Sequence, residues 1–329
     1  MIEILDDDSQ ATVQDRGRYG WRRFGVGSSG AMDGLALERA NLLAGNADDA
    51  AAIEVPGTPL RLQFCKTVRF ALAGSDAQAM LDDLPVLPDS TQMAVAGATL
   101  RLDRPTWGTY AYVAVAGGID VPVVLGSKST HVRGEFGGYL GRVLRRGDRL
   151  AVGPAADART GSVGLEAART ALALKDDQAD VTHVRVLPAA EHDLLSTESL
   201  DAFWSTKWKI SAQSNRSGYR LSGPTLNLAT SIEMRSHGLL PGVIQAPTGG
   251  PPIIQLADAF TAGGYPKIGT VIAADLWRVA QAPLGTALRF VPVDYAAALG
   301  AEDALDDYRR KTRLWIDLCR DRNARGPVS

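Results

Sequence analysis

The residues best equipped for chemistry lie in one run, Ala257-Asp258-Ala259-Phe260-Thr261-Ala262-Gly263-Gly264-Tyr265-Pro266-Lys267-Ile268-Gly269. It sets a carboxylate, a hydroxyl and an ammonium around a chain reversal made by two glycines. The preceding Pro252-Ile253-Ile254-Gln255-Leu256 has the bulk of a half-buried strand, which puts Asp258 at a strand end and Lys267 just past the turn. Strand ends are where scaffolds present reactive groups. The plainer reading is a polar turn in which Asp258 bonds backbone amides and Lys267 lies in solvent.

Two further segments could hold an anion. Ser214-Asn215-Arg216-Ser217-Gly218-Tyr219 places a guanidinium beside a glycine turn, which suits bidentate carboxylate binding or pairing with a neighbouring domain. Gly25-Val26-Gly27-Ser28-Ser29-Gly30 satisfies G-x-G-x-x-G, but Tyr19-Gly20-Trp21-Arg22-Arg23-Phe24 is no buried strand and no βαβ unit follows, which argues against a dinucleotide site. A glycine-rich loop entering a helix, with Arg22 and Arg23 upstream, could still cradle a carboxylate or phosphate; a purely structural loop is the equal alternative. His131, His183, His192 and His237 show no paired spacing and no nucleophile motif, so no hydrolase triad is visible.

The elements that must position these residues are mostly strands. Val68-Arg69-Phe70-Ala71-Leu72, Tyr110–Val115, Val184-Arg185-Val186 and Leu288-Arg289-Phe290-Val291 are short runs bounded by Gly, Pro or Asp. One helix is expected from an Asp33 N-cap to just before Gly45, closing a barrel end. After Val293 the pattern predicts a helix with Leu305, Tyr308, Thr312, Trp315 and Cys319 on one stripe, packed against the body. The expected division is a β-barrel module over residues 1–152, a linker over 153–182, a second module over 183–293, and a helix with tail over 294–329. Weak likeness between the halves suggests an internal duplication.

Bulk properties narrow the function. The chain has 329 residues, 45% of them hydrophobic, with a formal net charge of -2. That supports a packed globule and gives no pull toward nucleic acid. No segment approaches membrane-spanning length and the acidic start is unlike a signal peptide, so a cytoplasmic location is expected. Cys65 and Cys319 have no Cys or His at ligand spacing, so no metal site is signalled.

The chain resembles the carboxyltransferase-like family that includes the C-type component of 5-oxoprolinase, the sporulation regulator KipA, and the second half of the urea carboxylase carboxyltransferase domain, also called allophanate hydrolase subunit 2. The resemblance rests on Thr12-Val13-Gln14-Asp15-Arg16-Gly17-Arg18, Arg23-Phe24-Gly25-Val26, Ser29-Gly30-Ala31-Met32-Asp33, Ala114–Pro122, Ser214–Leu221, Pro241-Gly242-Val243-Ile244-Gln245 and the Asp258–Lys267 run. It implies a mainly β fold of two cyclophilin-like β-barrel modules with a few helices and a C-terminal helix.

In function, the resemblance implies the C-type subunit of an ATP-dependent 5-oxoprolinase-like complex, turning 5-oxoproline into glutamate with a B-type (KipI-like, allophanate hydrolase subunit 1) and an A-type subunit. ATP could sit on the complex rather than on this chain. One alternative is a biotin-dependent carboxyltransferase acting on urea or a related amide, its biotin supplied by a partner. Another is a non-enzymatic KipA-like regulator of a B-type protein.

Carried onto matching positions, the family implies Asp258, Lys267 and Tyr265 as catalytic residues. Substrate binding would fall to Arg23, Ser29, Asp33, Ser127, Asn215, Arg216, Gln245, Thr261, Gly263 and Gly264. In that scheme Lys267 and an Arg offset developing negative charge, while Asp258 orients the amide or takes its proton. The chain departs from the pattern near the presumed cleft. Pro247-Thr248-Gly249-Gly250-Pro251-Pro252-Ile253 stands where Pro-Pro-Asp-Gly-Gln-Pro-Ile is usual, Ala259-Phe260 where Arg-Gln is usual, and His237 where Glu is usual. Such losses of polar anchors suggest altered substrate choice or a partly degenerate site.

Overall fold

The computed structural model describes residues 1–7, 9–155, 162–174, 181–230 and 234–324, the side chains of 323 and 324 excepted. The chain forms two compact units. Unit 1 holds residues 1–18, 29–172 and 307–329; unit 2 holds 19–28 and 173–306. The ten-residue strap 19–28 therefore belongs to unit 2, although its sequence neighbours on both sides belong to unit 1. Parts of the expected linker, 156–161 and 175–180, and the tail beyond Ala324 lie outside the described residues.

Unit 1 is built from two antiparallel sheets. The seven-stranded sheet runs Ile119–Asp120, Arg149–Val152, Ile2–Ile4, Leu60–Phe64, Thr99–Leu102, Met80–Leu81, Leu84–Pro85. The five-stranded sheet runs Thr12–Gln14, Ala52–Pro56, Tyr110–Val115, Val68–Gly74, Ser90–Ala94. Alternating side chains such as Leu60, Leu62 and Phe64 enter the apolar core, where the Phe64 and Phe70 rings lie 4.9 Å apart.

Five α-helices are described: α1 (Gly34–Ala44), α2 (Ala168–Ala171), α3 (Thr197–Ser205), α4 (Leu276–Gln281) and α5 (Tyr295–Ala324). The ends of α1 are the expected ones. Asp33 caps the start through Ala36 N at 2.9 Å, and Gly45 ends it in the left-handed region at φ 83°. Residues Leu35 to Ala44 of α1 are all buried, so it is an internal helix packed on the Val68–Gly74 and Tyr110–Val115 strands rather than a lid on a barrel end.

Unit 2 holds the closed barrel. Its strands follow the order Val181–Pro188, Lys267–Val271, Val243–Gln245, Ile253–Gln255, Gly218–Ser222, Trp208–Ile210, Ala287–Pro292. The last strand closes on the first in parallel, with Val181 opposite Ala287. Trp208, Tyr219, Ile244, Ile254, Ile268 and Phe290 are buried in it.

The part of α5 in unit 1 is held by ions as much as by apolar contact. Arg313 pairs with Asp48 at 2.7 Å and Glu38 at 3.2 Å, and Arg309 with Glu38 at 3.1 Å. Arg320 donates to the carbonyls of Leu42 and Leu43 at the C-terminal end of α1, at 2.7 and 2.9 Å. The buried face runs Leu305, Thr312, Ile316, Arg320. Trp315, expected on that stripe, is 54% exposed, because directing Arg320 at the carbonyls of α1 turns Ile316 inward instead.

Candidate functional site

The richest polar cluster in unit 2 is built on a two-stranded ribbon, His237–Gly238 against Ala262–Gly263, with His237 opposite Gly263. Leu239 N continues the pairing to Thr261 O at 3.0 Å. A Cβ on Gly263 would lie 2.8 Å from Leu239 Cδ1 and 3.0 Å from Gln245 Nε2. Gly263 thus serves close approach rather than a left-handed turn, and neither it nor Gly264 has positive φ.

Lys267 opens the strand after the ribbon. Its Nζ lies 2.8 Å from His237 Nδ1 and 3.9 Å from Glu191 Oε2, and its backbone N donates to the same Glu191 oxygen at 3.1 Å. An ammonium can only donate, so His237 accepts at Nδ1 and carries its proton on Nε2. Gln245 Nε2 reaches Tyr265 O at 3.3 Å, and Gln255 Nε2 donates to Gln245 Oε1 at 2.9 Å, which fixes both amides. The Tyr265 ring is 49% exposed.

Asp258 follows the Ile253–Gln255 strand closely. Its Oδ2 accepts from Arg216 Nε at 2.8 Å and its Oδ1 from Nη2 at 3.3 Å. A bound molecule would therefore meet a carboxylate–guanidinium pair and not a bare carboxylate. Asn215 Oδ1 accepts from Ser217 N at 2.8 Å and shapes the turn that carries Arg216.

The strap reaches the same ribbon. Arg22 Nη2 donates to Leu239 O and, at 2.8 Å, to Phe260 O. Burial lowers the pKa of Arg22 below its ordinary value. Arg23, the residue singled out from the sequence, is exposed with its guanidinium 4.7 Å from the Phe24 ring centroid.

Ser29, Asp33 and Ser127 fall in unit 1, and each has a local setting. Ser127 Oγ donates to Asp15 at 2.6 Å, in a knot with Gly17 N and Lys128 N. Asp33 caps α1. Ser29 is buried in the left-handed region at φ 51°.

The anion cradle suggested by the glycine loop is not what the helix entrance offers. The amides of Ala31, Met32 and Asp33 donate to Asp15 O, the Glu54 carboxylate and Tyr112 Oη at 2.9, 2.8 and 2.8 Å. Tyr112 also donates to Glu54 at 2.7 Å; burial first, then the Glu54 charge, holds the phenol well above its ordinary pKa. A buried carboxylate already occupies the positive end of α1.

Within unit 2 the structure places Lys267, Gln245 and Gly263 together where the ribbon meets the start of the Lys267–Val271 strand, with Gly264 next to them in the chain and Thr261 on the ribbon opposite Leu239, whereas the Asp258–Arg216 pair lies beyond Gln255 and Gly218 at the opposite end of the same barrel strands. Arg22, Glu191 and Gln255 join the ribbon group, none of which the sequence assigns to the site. The adjacent arginines of the strap were a signal for Arg22; nothing local marks Glu191. Among the described residues no group of His, Cys, Asp or Glu could hold a metal ion, and no helix is long and apolar enough to cross a membrane.

Residues 24–292 match the family described as carboxyltransferase domain, subdomain A and B. The chain is 42% identical over 308 residues to the C-type component of 5-oxoprolinase from Escherichia coli (strain K12), covering 94% of this chain and 96% of that protein. Identity to the same component from Haemophilus influenzae is 40% over 320 residues, 97% of this chain and 98% of that one. Urea amidolyase of Lachancea kluyveri matches at 33% over 93% of this chain but 18% of its own length. The crystal structure of the K. lactis urea amidolyase superposes with a TM-score of 0.85 at 30% identity, over 94% of this chain and 20% of that one.

Proposed function

We propose that this chain, which belongs to the family of carboxyltransferase domains with subdomains A and B, is the C-type subunit of an ATP-dependent 5-oxoprolinase complex. It would work with a B-type and an A-type subunit. One observation carries the reading. The two bacterial 5-oxoprolinase relatives match this chain from end to end, at 96% and 98% of their own lengths, whereas the urea amidolyase match is a fraction of a far larger protein.

The proposed reaction opens the lactam of 5-oxoproline to glutamate. One water is added across the C–N bond, and hydrolysis of ATP consumes a second. A neutral amide is a poor electrophile, and ATP supplies the activation it lacks. The amides of Ala31, Met32 and Asp33 at the helix entrance are engaged, which favours a nucleotide held elsewhere on the complex. Within unit 2, Lys267 is positioned to offset negative charge developing on the lactam oxygen. The Asp258–Arg216 pair, at the opposite end of these strands, presents an acceptor and a donor edge suited to a second polar group. Tyr265, exposed two positions before Lys267, is assigned to the substrate-facing surface.

A second reading, transfer of a carboxyl group from a partner's biotin to urea or a related amide, is supported by the TM-score of 0.85 to urea amidolyase. Reconstitution separates the two. This chain with its B-type and A-type partners should consume ATP in step with glutamate release from 5-oxoproline. No glutamate release by a verified complex, with carboxylation of urea in the presence of a biotin carrier, would replace the first reading with the second.

A further inference from the structure

Arg22 differs from Arg216 and Lys267. Arg216 is neutralised by Asp258, and Lys267 has Glu191 at 3.9 Å. Arg22 is half-buried, yet its acceptors are all neutral: Leu239 O, Phe260 O at 2.8 Å, and Ser28 Oγ at 3.5 Å. Among the described residues it makes no ion pair. A guanidinium has five N–H donors. Both on Nη2 go to carbonyls and one on Nη1 points at Ser28, which leaves Nε–H and the second Nη1–H without an acceptor. Among the described residues Lys267 and Arg216 each have a carboxylate partner, Glu191 and Asp258, and Arg22 has none.

A partly desolvated cation without a counter-ion is costly, and the lowered pKa of Arg22 has that cause. That unmatched positive charge is what a monoanionic ligand would balance. Placement agrees. Arg22 meets the ribbon at the carbonyls of Leu239 and Phe260, and Lys267 meets it at the side chain of His237, two positions from Leu239, so the two backbone anchor points are about 6–7 Å apart. A small ring with a carboxylate on one side and an amide carbonyl on the other is of that same scale.

We infer that Arg22 is a specificity-determining residue that binds the carboxylate of a small amide or lactam acid, leaving the amide carbonyl to Lys267. The inference deepens the reading of the chain as a 5-oxoprolinase subunit and rests on it for the identity of the acid. It selects carboxylate-bearing amides over neutral ones such as urea.

The test compares 5-oxoproline with 2-pyrrolidinone, the same ring without the carboxylate. Binding of each to the full chain, alone and with its B-type partner, is followed by ligand-observed NMR in wild type, Arg22→Gln and Arg22→Lys. Wild type should favour 5-oxoproline by roughly 10–100-fold, the range expected of a charged hydrogen-bonded contact. Arg22→Gln should erase that preference while leaving 2-pyrrolidinone unchanged, and Arg22→Lys should restore part of it. In the assembled complex, Arg22→Gln should raise KM with little change in kcat.

A purely structural role for the strap would weaken both ligands alike, and an unchanged preference in Arg22→Gln would overturn the inference. So would a wild-type chain that does not distinguish the two. Carboxylate- and Arg22-dependent binding without turnover would instead reject the oxoprolinase reading and leave the recognition role standing.

Discussion

The ammonium of Lys267 rests on the imidazole of His237, 2.8 Å from its Nδ1, and only at 3.9 Å on the carboxylate of Glu191. Its nearest partner is thus a neutral lone pair, which leaves most of the positive charge for a ligand. Histidine 15N spectra should show His237 as the Nε2–H tautomer at neutral pH. The Nδ1 signal should shift when Lys267 is replaced by Met. In the complex, Lys267→Met is expected to lower kcat by roughly 10²–10³-fold, the scale for losing one donor to a developing oxyanion.

The Asp258–Arg216 pair is mostly shielded, with side-chain exposures of 10% and 16%. Asp258→Asn should therefore cost about 1–3 kcal/mol of stability by removing the charge that faces the Arg216 guanidinium, less than a fully buried pair would lose. Adding Arg216→Gln should recover part of that loss. Denaturant titration of the single and double variants measures the coupling; strict additivity would show that the pair contributes nothing.

Gly263→Ala separates site from scaffold. The added methyl meets the ends of two flexible side chains, Leu239 Cδ1 at 2.8 Å and Gln245 Nε2 at 3.0 Å, and no positive φ strains it. Stability is expected to change by less than about 1 kcal/mol. Turnover should fall, because Gln245 must give up its bond to Tyr265 O. An unfolded variant with no soluble protein would contradict this.

Asp89 gives unit 1 a pH signature. Burial raises its carboxyl pKa to about 6, outweighing the pull of Arg39, 2.9 Å away. The folded pKa exceeds the unfolded one, so the native state binds the extra proton. The Asp89 contribution is favourable at low pH and is lost as pH rises from about 4 to about 6, by roughly 2–3 kcal/mol. Unfolding free energy measured at both ends of that range should show the fall in wild type relative to Asp89→Asn, whose side chain also tolerates the left-handed φ of 54°.

Arg320→Ala should lower the melting temperature, since it removes the buried cation from the last carbonyls of α1 at a cost of about 1–3 kcal/mol. Arg322→Ala, exposed on the same helix, should leave it unchanged.

Local grammar was readable from the sequence. Asp33 and Gly45 bound α1 because a cap and a left-handed stop depend on a few adjacent residues. Ile253–Gln255 is the strand expected just before Asp258, and Lys267, expected just past the turn, opens a further strand, Lys267–Val271. What escaped depends on distant partners. The helix-entrance amides were engaged by Glu54 and Tyr112, which lie 22 and 79 positions away from the donors they meet. Arg22 finds its acceptors 217 and 238 positions away. The face of α5 was misjudged by one residue because Arg320, a charged residue, was the one to be buried.

Neither unit is one continuous stretch of chain. Unit 1 is assembled from three segments and unit 2 from two, because the strap 19–28 interrupts the first and α5 begins in the second and ends in the first. A gene fragment covering 183–293 would therefore encode the barrel without Arg22. Recombination could not exchange either unit cleanly with another protein. An exchange that keeps Arg22 with its barrel carries unit 1 as well, and the block recurring inside urea amidolyase matches 93% of this chain.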